Sequence, residues 1–369
     1  MKGEQSMFDK KAIEFLKNLT ESFGPSGFER ETSRLIKDYM QPYSDEVITD
    51  KLGSVVFVAK GKAEKPRVLL AGHVDEIGFV ISSIDESTGF LTFSSVGGWW
   101  DQVLLSQKVV VRTIKDDIYG VIASKPPHLL TDEERAKVFT QDRMHIDIGA
   151  TSKKESEEAG VKVGDPVVPL SPFSLIRDGK VAVGKAFDDR LGAFVIMEAI
   201  RHIKENNVAH PNTIYGAATV QEEVGLRGAQ TVAHLVDPDA GIVLEVDIAG
   251  DVPGIKPFEA PAKMGKGPSL LTYDRSMIPN QPFKELVWKT AQEAKIPLQL
   301  SQVARGGTDA GRIHLDRAGC PSVVISVPTR HIHSHVGMFN LEDAENAVKL
   351  VIELIKKLDE KTVEEFTRI

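Results

Sequence analysis

The order of apolar and polar positions divides the chain into three stretches. In the first 42 residues apolar positions recur at helical spacing. Ala12, Ile13, Phe15 and Leu16 give one amphipathic helix, and Arg30–Tyr39 repeats the pattern with Leu35, Ile36 and Tyr39. The F-G-P-S-G segment between them predicts a tight turn. Val47–Ala59 and Arg67–Ala71 then read as strands. The second is apolar after its first residue, as in a strand covered on both faces.

From about Gly78 to Pro172 the pattern changes to short β-rich runs: Phe79–Ile84, Val109–Thr113, Ile118–Ile122 and Val167–Leu170. Glycines and acidic turns separate them, with one polar helical piece near Thr131–Val138. After Lys180 helices and strands alternate again. Leu191–Lys204, Ala229–Leu235, Phe283–Ala294 and Leu341–Leu358 read as helices; Thr213–Val220, Gly241–Val246 and Ser322–Val327 read as strands. Such alternation implies an α/β fold with a mostly parallel sheet flanked by helices. The β-rich stretch is then an inserted small domain. Residues 1–77 plus 173–369 form one unit and residues 78–172 the insertion.

Composition narrows the function. The chain has 369 residues, 41% hydrophobic and 27% charged, which is ordinary for a large globular core. Its net charge of −8 argues against a nucleic-acid surface. No run approaches the roughly 20 apolar residues of a membrane helix, and the opening MKGEQSMFDKK lacks an apolar leader. A cytoplasmic protein is expected. The lone Cys320 allows no intrachain disulfide and reads as a small buried hydrophobe rather than a nucleophile. The acidic cluster Glu155–Glu158 reads as a solvated helix face.

Five segments place His, Asp or Glu at or just beyond the end of an apolar strand, where open α/β sheets hold their ligands. A-G-H-V-D-E offers His73 and Asp75, whose side chains share a direction in extended chain. K-A-F-D-D-R-L-G offers Asp188 and Asp189, which equally suit a helix cap with a solvated neighbour. T-V-Q-E-E-V-G offers Glu222 and Glu223, adjacent carboxylates that repel unless a cation or a helix start is near. I-V-L-E-V-D ends an apolar strand with Glu245 and Asp247, costly to bury unpaired. T-R-H-I-H-S-H carries His331, His333 and His335, either a surface turn or a metal-binding tract. Singly each has a bland reading. Together they supply imidazoles and carboxylates enough for a dinuclear site, a donor set that favours zinc, cobalt or manganese over calcium.

The chain resembles the tetrahedral (TET) type of dinuclear metallo-aminopeptidase, the group that includes glutamyl aminopeptidase and endoglucanase homologues. The segments that carry the resemblance are A-G-H-V-D-E-I-G-F, G-G-W-W, D-I-G-A, K-A-F-D-D-R-L-G, V-Q-E-E-V-G-L-R-G-A, I-A-G-D-V-P-G, G-G-T-D-A and R-H-I-H-S-H, in order along nearly the whole sequence. The resemblance implies that His73 and an acid on the later strand hold one metal, that Asp188 bridges, and that Glu223 and His333 hold the second. Glu222 corresponds to the general base and Asp75 to the acid behind the first histidine. Where such sequences usually carry Asp, this chain has Glu245, with Asp247 the weaker candidate. His331 stands where Tyr is common and receives no metal.

The implied reaction is removal of N-terminal residues from short peptides by water activated between two divalent ions, with Glu222 moving the proton. The resemblance further implies that the β-rich insertion mediates dimerisation and that dimers build a tetrahedral dodecamer. The competing readings are a deacylase on the same metals, a glycoside hydrolase and a non-catalytic metal scaffold. Adjacent Glu222 and Glu223 do not supply the two facing carboxyls of a glycosidase, which lie roughly 5–10 Å apart. A scaffold has no use for a base beside its ligands.

Overall fold

A computed structural model describes residues 6–368. Residues 1–5, in the opening segment read above for a leader, lie outside that range. The chain begins with α1 (Lys10–Glu21) and α2 (Arg30–Met40), then β1 (Glu46–Thr49), β2 (Val55–Ala59) and β3 (Arg67–His73). Six strands follow: β4 (Gly78–Ile84), β5 (Leu91–Val96), β6 (Lys108–Arg112), β7 (Asp117–Ala123), β8 (His145–Asp147) and β9 (Pro166–Pro169), with short helices α3 (Asp132–Ala136) and α4 (Lys153–Ala159) between them. The remainder runs β10 (Ser174–Ile176), β11 (Val181–Gly184), α5 (Phe187–Glu205), β12 (Thr213–Thr219), α6 (Arg227–Val236), β13 (Ala240–Ile248), β14 (Ser269–Asp274), α7 (Gln281–Glu293), β15 (Gln299–Val303), α8 (Ala310–Ile313), β16 (Ser322–Arg330), β17 (Gly337–Asn340), α9 (Leu341–Ile355) and α10 (Glu360–Glu365).

Two sheets result. The larger has 11 strands in the order β1-β2-β12-β3-β13-β16-β17-β11-β10, with β14 and β15 branching from β16. Its centre, β12-β3-β13-β16, is parallel, and the pairs toward both margins are antiparallel. In β3 the side chains alternate between two cores. Val68 and Leu70 face the cluster containing Phe57, Phe194 and Leu350, and Leu69 and Ala71 face the one containing Ala229, Val232 and Val324. Both faces are covered, so the strand has no polar side and its sequence shows none.

The other sheet closes into a barrel in the order β4-β5-β8-β7-β6-β9. Phe79, Ile81, Phe93, Val109, Ile122 and Ile146 fill it. The chain enters it after β3 and leaves it before β10, which belongs to the larger sheet. Among the described residues no helix is long and apolar enough to cross a membrane.

Some boundaries differ from the sequence reading. Val47–Ala59 is not one strand but the hairpin of β1 and β2, paired antiparallel from Glu46↔Val58 to Thr49↔Val55. Asp50 makes the turn by accepting the backbone N–H groups of Leu52, Gly53 and Ser54. The helix expected to reach Leu358 stops at Ile355, and a separate α10 begins at Glu360. Cys320 is buried and unpaired, and burial pushes its thiol up to about 12, which leaves it inert at neutral pH.

Candidate metal centre and active site

The site lies at the carboxyl ends of the four central parallel strands and is assembled by their register. His73 ends β3 beside Thr219, the last residue of β12. Three and four residues beyond the end of β12 the chain presents Glu222 and Glu223. Glu245 comes from β13, and His333 follows β16. Asp188 enters from the first turn of α5, where Asp188 and Asp189 have non-helical backbone angles before the regular helix starts. That irregular start explains why the helical pattern in the sequence is legible only from Leu191. Gly72 lets this turn approach: a Cβ there would lie 2.8 Å from the Ala193 nitrogen and 3.1 Å from an Asp189 oxygen.

Asp188 sits between the two histidines. Its Oδ1 is 3.3 Å from His73 Nε2 and its Oδ2 is 3.4 Å from His333 Nε2. Glu222 Oε2 lies 3.8 Å from His73 Nε2, and Glu223 Oε1 lies 3.8 Å from His333 Nε2. Donor atoms of His73, Glu222 and Glu245 fall within 4.8 Å of one another, as do those of His73, Asp188 and Glu223. His333 reaches the second group through Asp188 and Glu223. The structure thus brings together His73, Asp188, Glu222, Glu223, Glu245 and His333.

Asp247 is not in that cluster. It is buried and accepts the Ser269 hydroxyl at 2.6 Å from β14, which pairs with β16. His335 turns into the packing, where burial pulls its imidazole down to about 4. His331 lies beside the site in a left-handed backbone conformation. Asp189, which the sequence allowed as a solvated neighbour, is fully buried and accepts the backbone N–H of His73 at 3.2 Å and of Gly192 at 3.0 Å.

Asp75 links the segments. It lies 3.4 Å from His73 Nδ1 and accepts the Ser26 hydroxyl at 2.6 Å. It also accepts the backbone N–H groups of Glu222 at 3.0 Å and Glu223 at 3.2 Å. Glu29, which no motif singles out, accepts the backbone N–H groups of Gly27 and Gln221; burial pushes its carboxyl up to about 7, and the nearby Asp75 charge adds to this. Asp309 of the G-G-T-D-A segment is also buried near the cluster, bonded to the Thr219 hydroxyl, and burial raises it to about 6. Its motif was visible in the sequence, but nothing local indicated its place.

A buried ion network braces the cluster from below. Glu76 accepts Lys185 Nζ at 2.6 and 2.7 Å and Arg190 Nη2 at 3.0 Å. Arg190, wholly inaccessible, also donates to the carbonyls of Leu19, Ser22, Gly24 and Val74. It therefore ties α1 and the F-G-P-S-G turn to β3 and α5.

The electrostatics ask for cations. Burial raises the Glu222 carboxyl well above its usual range, and Glu245 and Glu223 repel it further. Burial also raises Glu245, with Asp189 adding to it, and lifts Glu223 to about 7 together with Asp188. Asp188 runs the other way: burial opposes ionisation, but the imidazoles of His333 and His73 hold its carboxyl far down. So many carboxylates brought together without Lys or Arg among them fit divalent metal, which removes their mutual repulsion. The imidazole and carboxylate donors match the borderline transition ions. Beside the cluster a cavity of about 690 Å³ opens, walled by Val246, Leu271, Val303 and Ile332, with Glu259 and Arg305 on exposed segments at its edge.

The sequence profile described as M42 glutamyl aminopeptidase matches residues 53–350. The chain is 34% identical to the lysyl aminopeptidase of Pyrococcus furiosus over 348 residues, which is 94% of this chain and 97% of that protein. The crystal structure of a TET aminopeptidase from the marine sediment archaeon Thaumarchaeota archaeon SCGC AB-539-E09 is similar at a TM-score of 0.95 and 68% identity, covering 97% of this chain and 99% of the other. The Pyrococcus horikoshii TET1 peptidase, which can assemble into a tetrahedron or a large octahedral shell, is similar at a TM-score of 0.84 and 33% identity over 94% of this chain and all 100% of the other. The chain belongs to the M42 glutamyl aminopeptidase family and is a metal-dependent aminopeptidase of the TET type.

Proposed function

We propose that the enzyme removes the first residue of short peptides at a two-metal centre. The observation that carries this is Asp188 lying between His73 and His333, an oxygen facing each imidazole. His73, Asp188 and Glu245 would hold one ion, and Asp188, Glu223 and His333 the other, zinc or cobalt in preference to manganese. Bound there, the ions would supply Lewis-acid chemistry, activating water and stabilising the oxyanion of the attacked carbonyl.

The protein's own groups do the rest. Asp75 orients His73 and fixes the backbone of Glu222 and Glu223. Glu222 takes the proton from the attacking water and returns it to the leaving amine. The cavity wall of Val246, Leu271 and Ile332 receives the substrate's first side chain, and the carboxylates hold its α-ammonium. Fixing amine and carbonyl of one residue together orients the first peptide bond and excludes internal bonds.

In the cell the enzyme works in the cytoplasm on peptides rather than nucleic acid or membrane. The barrel, within residues 78–172, joins protomers into dimers, and dimers build a tetrahedral dodecamer, a reading supported by the tetrahedron that the Pyrococcus horikoshii TET1 peptidase can form. The test of the reaction is a mass-spectrometric time course on a free tripeptide and its N-acetyl form. The free peptide is trimmed stepwise, and the acetylated one is cut orders of magnitude more slowly. Comparable rates for the pair would favour a deacylase or an endopeptidase on the same metals.

A further inference from the structure

Two histidines flank Asp188, but different parts of the chain hold them. His73 Nδ1 is held within its own strand end, 3.1 Å from the Asp75 carbonyl and 3.4 Å from the Asp75 carboxylate. His333 has no such support from its neighbours in sequence. It lies in a loop with a φ of 52°, its side chain 42% exposed. Among the described residues the hydrogen-bond partner of its Nδ1 is the carbonyl of Gly98, at 2.7 Å. Gly98 belongs to the barrel, two residues beyond the end of β5.

The fit around this contact is close. Gly97 turns the chain with a φ of +81°, and a Cβ on it would stand 3.2 Å from Glu223 Oε2 and 2.6 Å from Ile77 Cγ2. A Cβ on Gly98 would stand 3.2 Å from His333 Nδ1 itself. The next residue anchors the turn in the barrel. Trp99 stacks on Phe79 with ring centroids 4.8 Å apart, and its indole N–H donates to the Gly78 carbonyl at 3.1 Å. A carbonyl cannot donate, so a hydrogen bond to Gly98 places a proton on His333 Nδ1 and leaves the lone pair of the neutral ring on Nε2, the atom facing Asp188 and Glu223.

We propose that the Gly97–Gly98 turn of the barrel is a positioning element for the His333 half of the metal centre. The β-rich insertion is then part of the active site as well as a body outside it. This rests on the two-metal reading, and it makes a statement that reading does not: the two metal positions depend differently on the barrel. Gly98 sets the tautomer and direction of His333, and the bare glycines let Glu223 and His333 crowd the turn. Among the described residues no hydrogen bond joins His73 or Glu245, which would hold the other position, to the turn.

The test is titration of metal-stripped protein with Co²⁺, followed by visible absorption and equilibrium dialysis, in four forms: parent, Gly98→Ala, His333→Ala and the double variant. The parent should take two equivalents; a parent that takes one contradicts the two-metal reading, and this inference with it. Removing an outer partner of a metal-bound histidine costs about 10–100-fold in affinity. Gly98→Ala keeps that carbonyl but sets a Cβ 3.2 Å from His333 Nδ1, which pushes the ring off it; it should weaken one equivalent by up to about that factor and leave the other at its parent affinity. In the His333→Ala background the same substitution should leave the remaining equivalent unchanged, because both changes act on one position. Trp99→Phe keeps the ring stack and removes the bond to Gly78. It should weaken the same equivalent to a smaller extent, and it serves in place of Gly98→Ala if that variant does not fold. Two unchanged affinities, or equal weakening of both, would overturn the proposal.

Discussion

One carboxylate oxygen of Asp75 accepts the backbone N–H of Glu222 at 3.0 Å. Asp75 also faces His73 Nδ1, so a single buried acid spaces an imidazole from β3 against the acidic pair that follows β12. On the proposed reading, Asp75 thereby couples the position of a metal ligand to that of the base.

Asp75→Asn is expected to keep the fold and to damage both functions together. Asn retains one acceptor but loses the charge opposite His73. Metal affinity should fall about 10–100-fold, as for other partners of metal-bound histidines, and kcat should remain low even at saturating metal because Glu222 is released. Equilibrium dialysis with steady-state kinetics checks this. A parent-like kcat at saturating metal would mean that Asp75 acts only through affinity.

Glu76→Gln should act on stability. The substitution leaves Lys185 and Arg190 buried opposite a neutral amide. Breaking a buried ion pair from one side costs about 3–5 kcal/mol. Urea denaturation should show a lower midpoint, and an unchanged midpoint would mean that the carbonyls around Arg190 suffice without the acid.

His335 gives a pH dependence with a definite sign. Burial holds its folded pKa near 4, below the ordinary value of 6.5. Between those values the unfolded chain binds the proton and the folded one does not, so this group makes stability rise with pH. Its contribution is complete above about pH 6.5 and is lost as the pH falls toward 4. Denaturation of the parent and of His335→Asn at pH 7 and pH 4.5 isolates the effect: the parent should lose more stability than the variant on acidification. Equal losses would place the histidine in a solvated environment.

Much of this was legible in the sequence because it follows from local pattern. The apolar run of β3 identifies a strand covered on both faces, and the five acidic or histidine-bearing segments all lie at the edge of one cluster. The parts that were not legible depend on meetings distant in sequence. Nothing near Glu29 indicates that it will be buried beside Asp75, and nothing near Gly98 indicates His333. Glu245 and Asp247 share a strand face by parity. Only the packing of β14 against β16, which brings Ser269 to Asp247, separates them. The hairpin hidden in Val47–Ala59 was missed because Asp50 makes its turn through side-chain acceptance, with Gly53 the sole glycine in it.

The central claim is the division of labour in the acidic pair, with Glu222 as base and Glu223 as ligand. Position alone does not separate them, since Glu222 also lies within reach of His73 and Glu245. The decisive measurement is metal content and kcat of Glu222→Gln and Glu223→Gln, purified and assayed side by side. The account predicts that Glu222→Gln keeps its metal and loses about 10²–10⁴-fold in kcat, whereas Glu223→Gln loses metal occupancy. An active Glu222→Gln, or equal metal loss in the two variants, would contradict it.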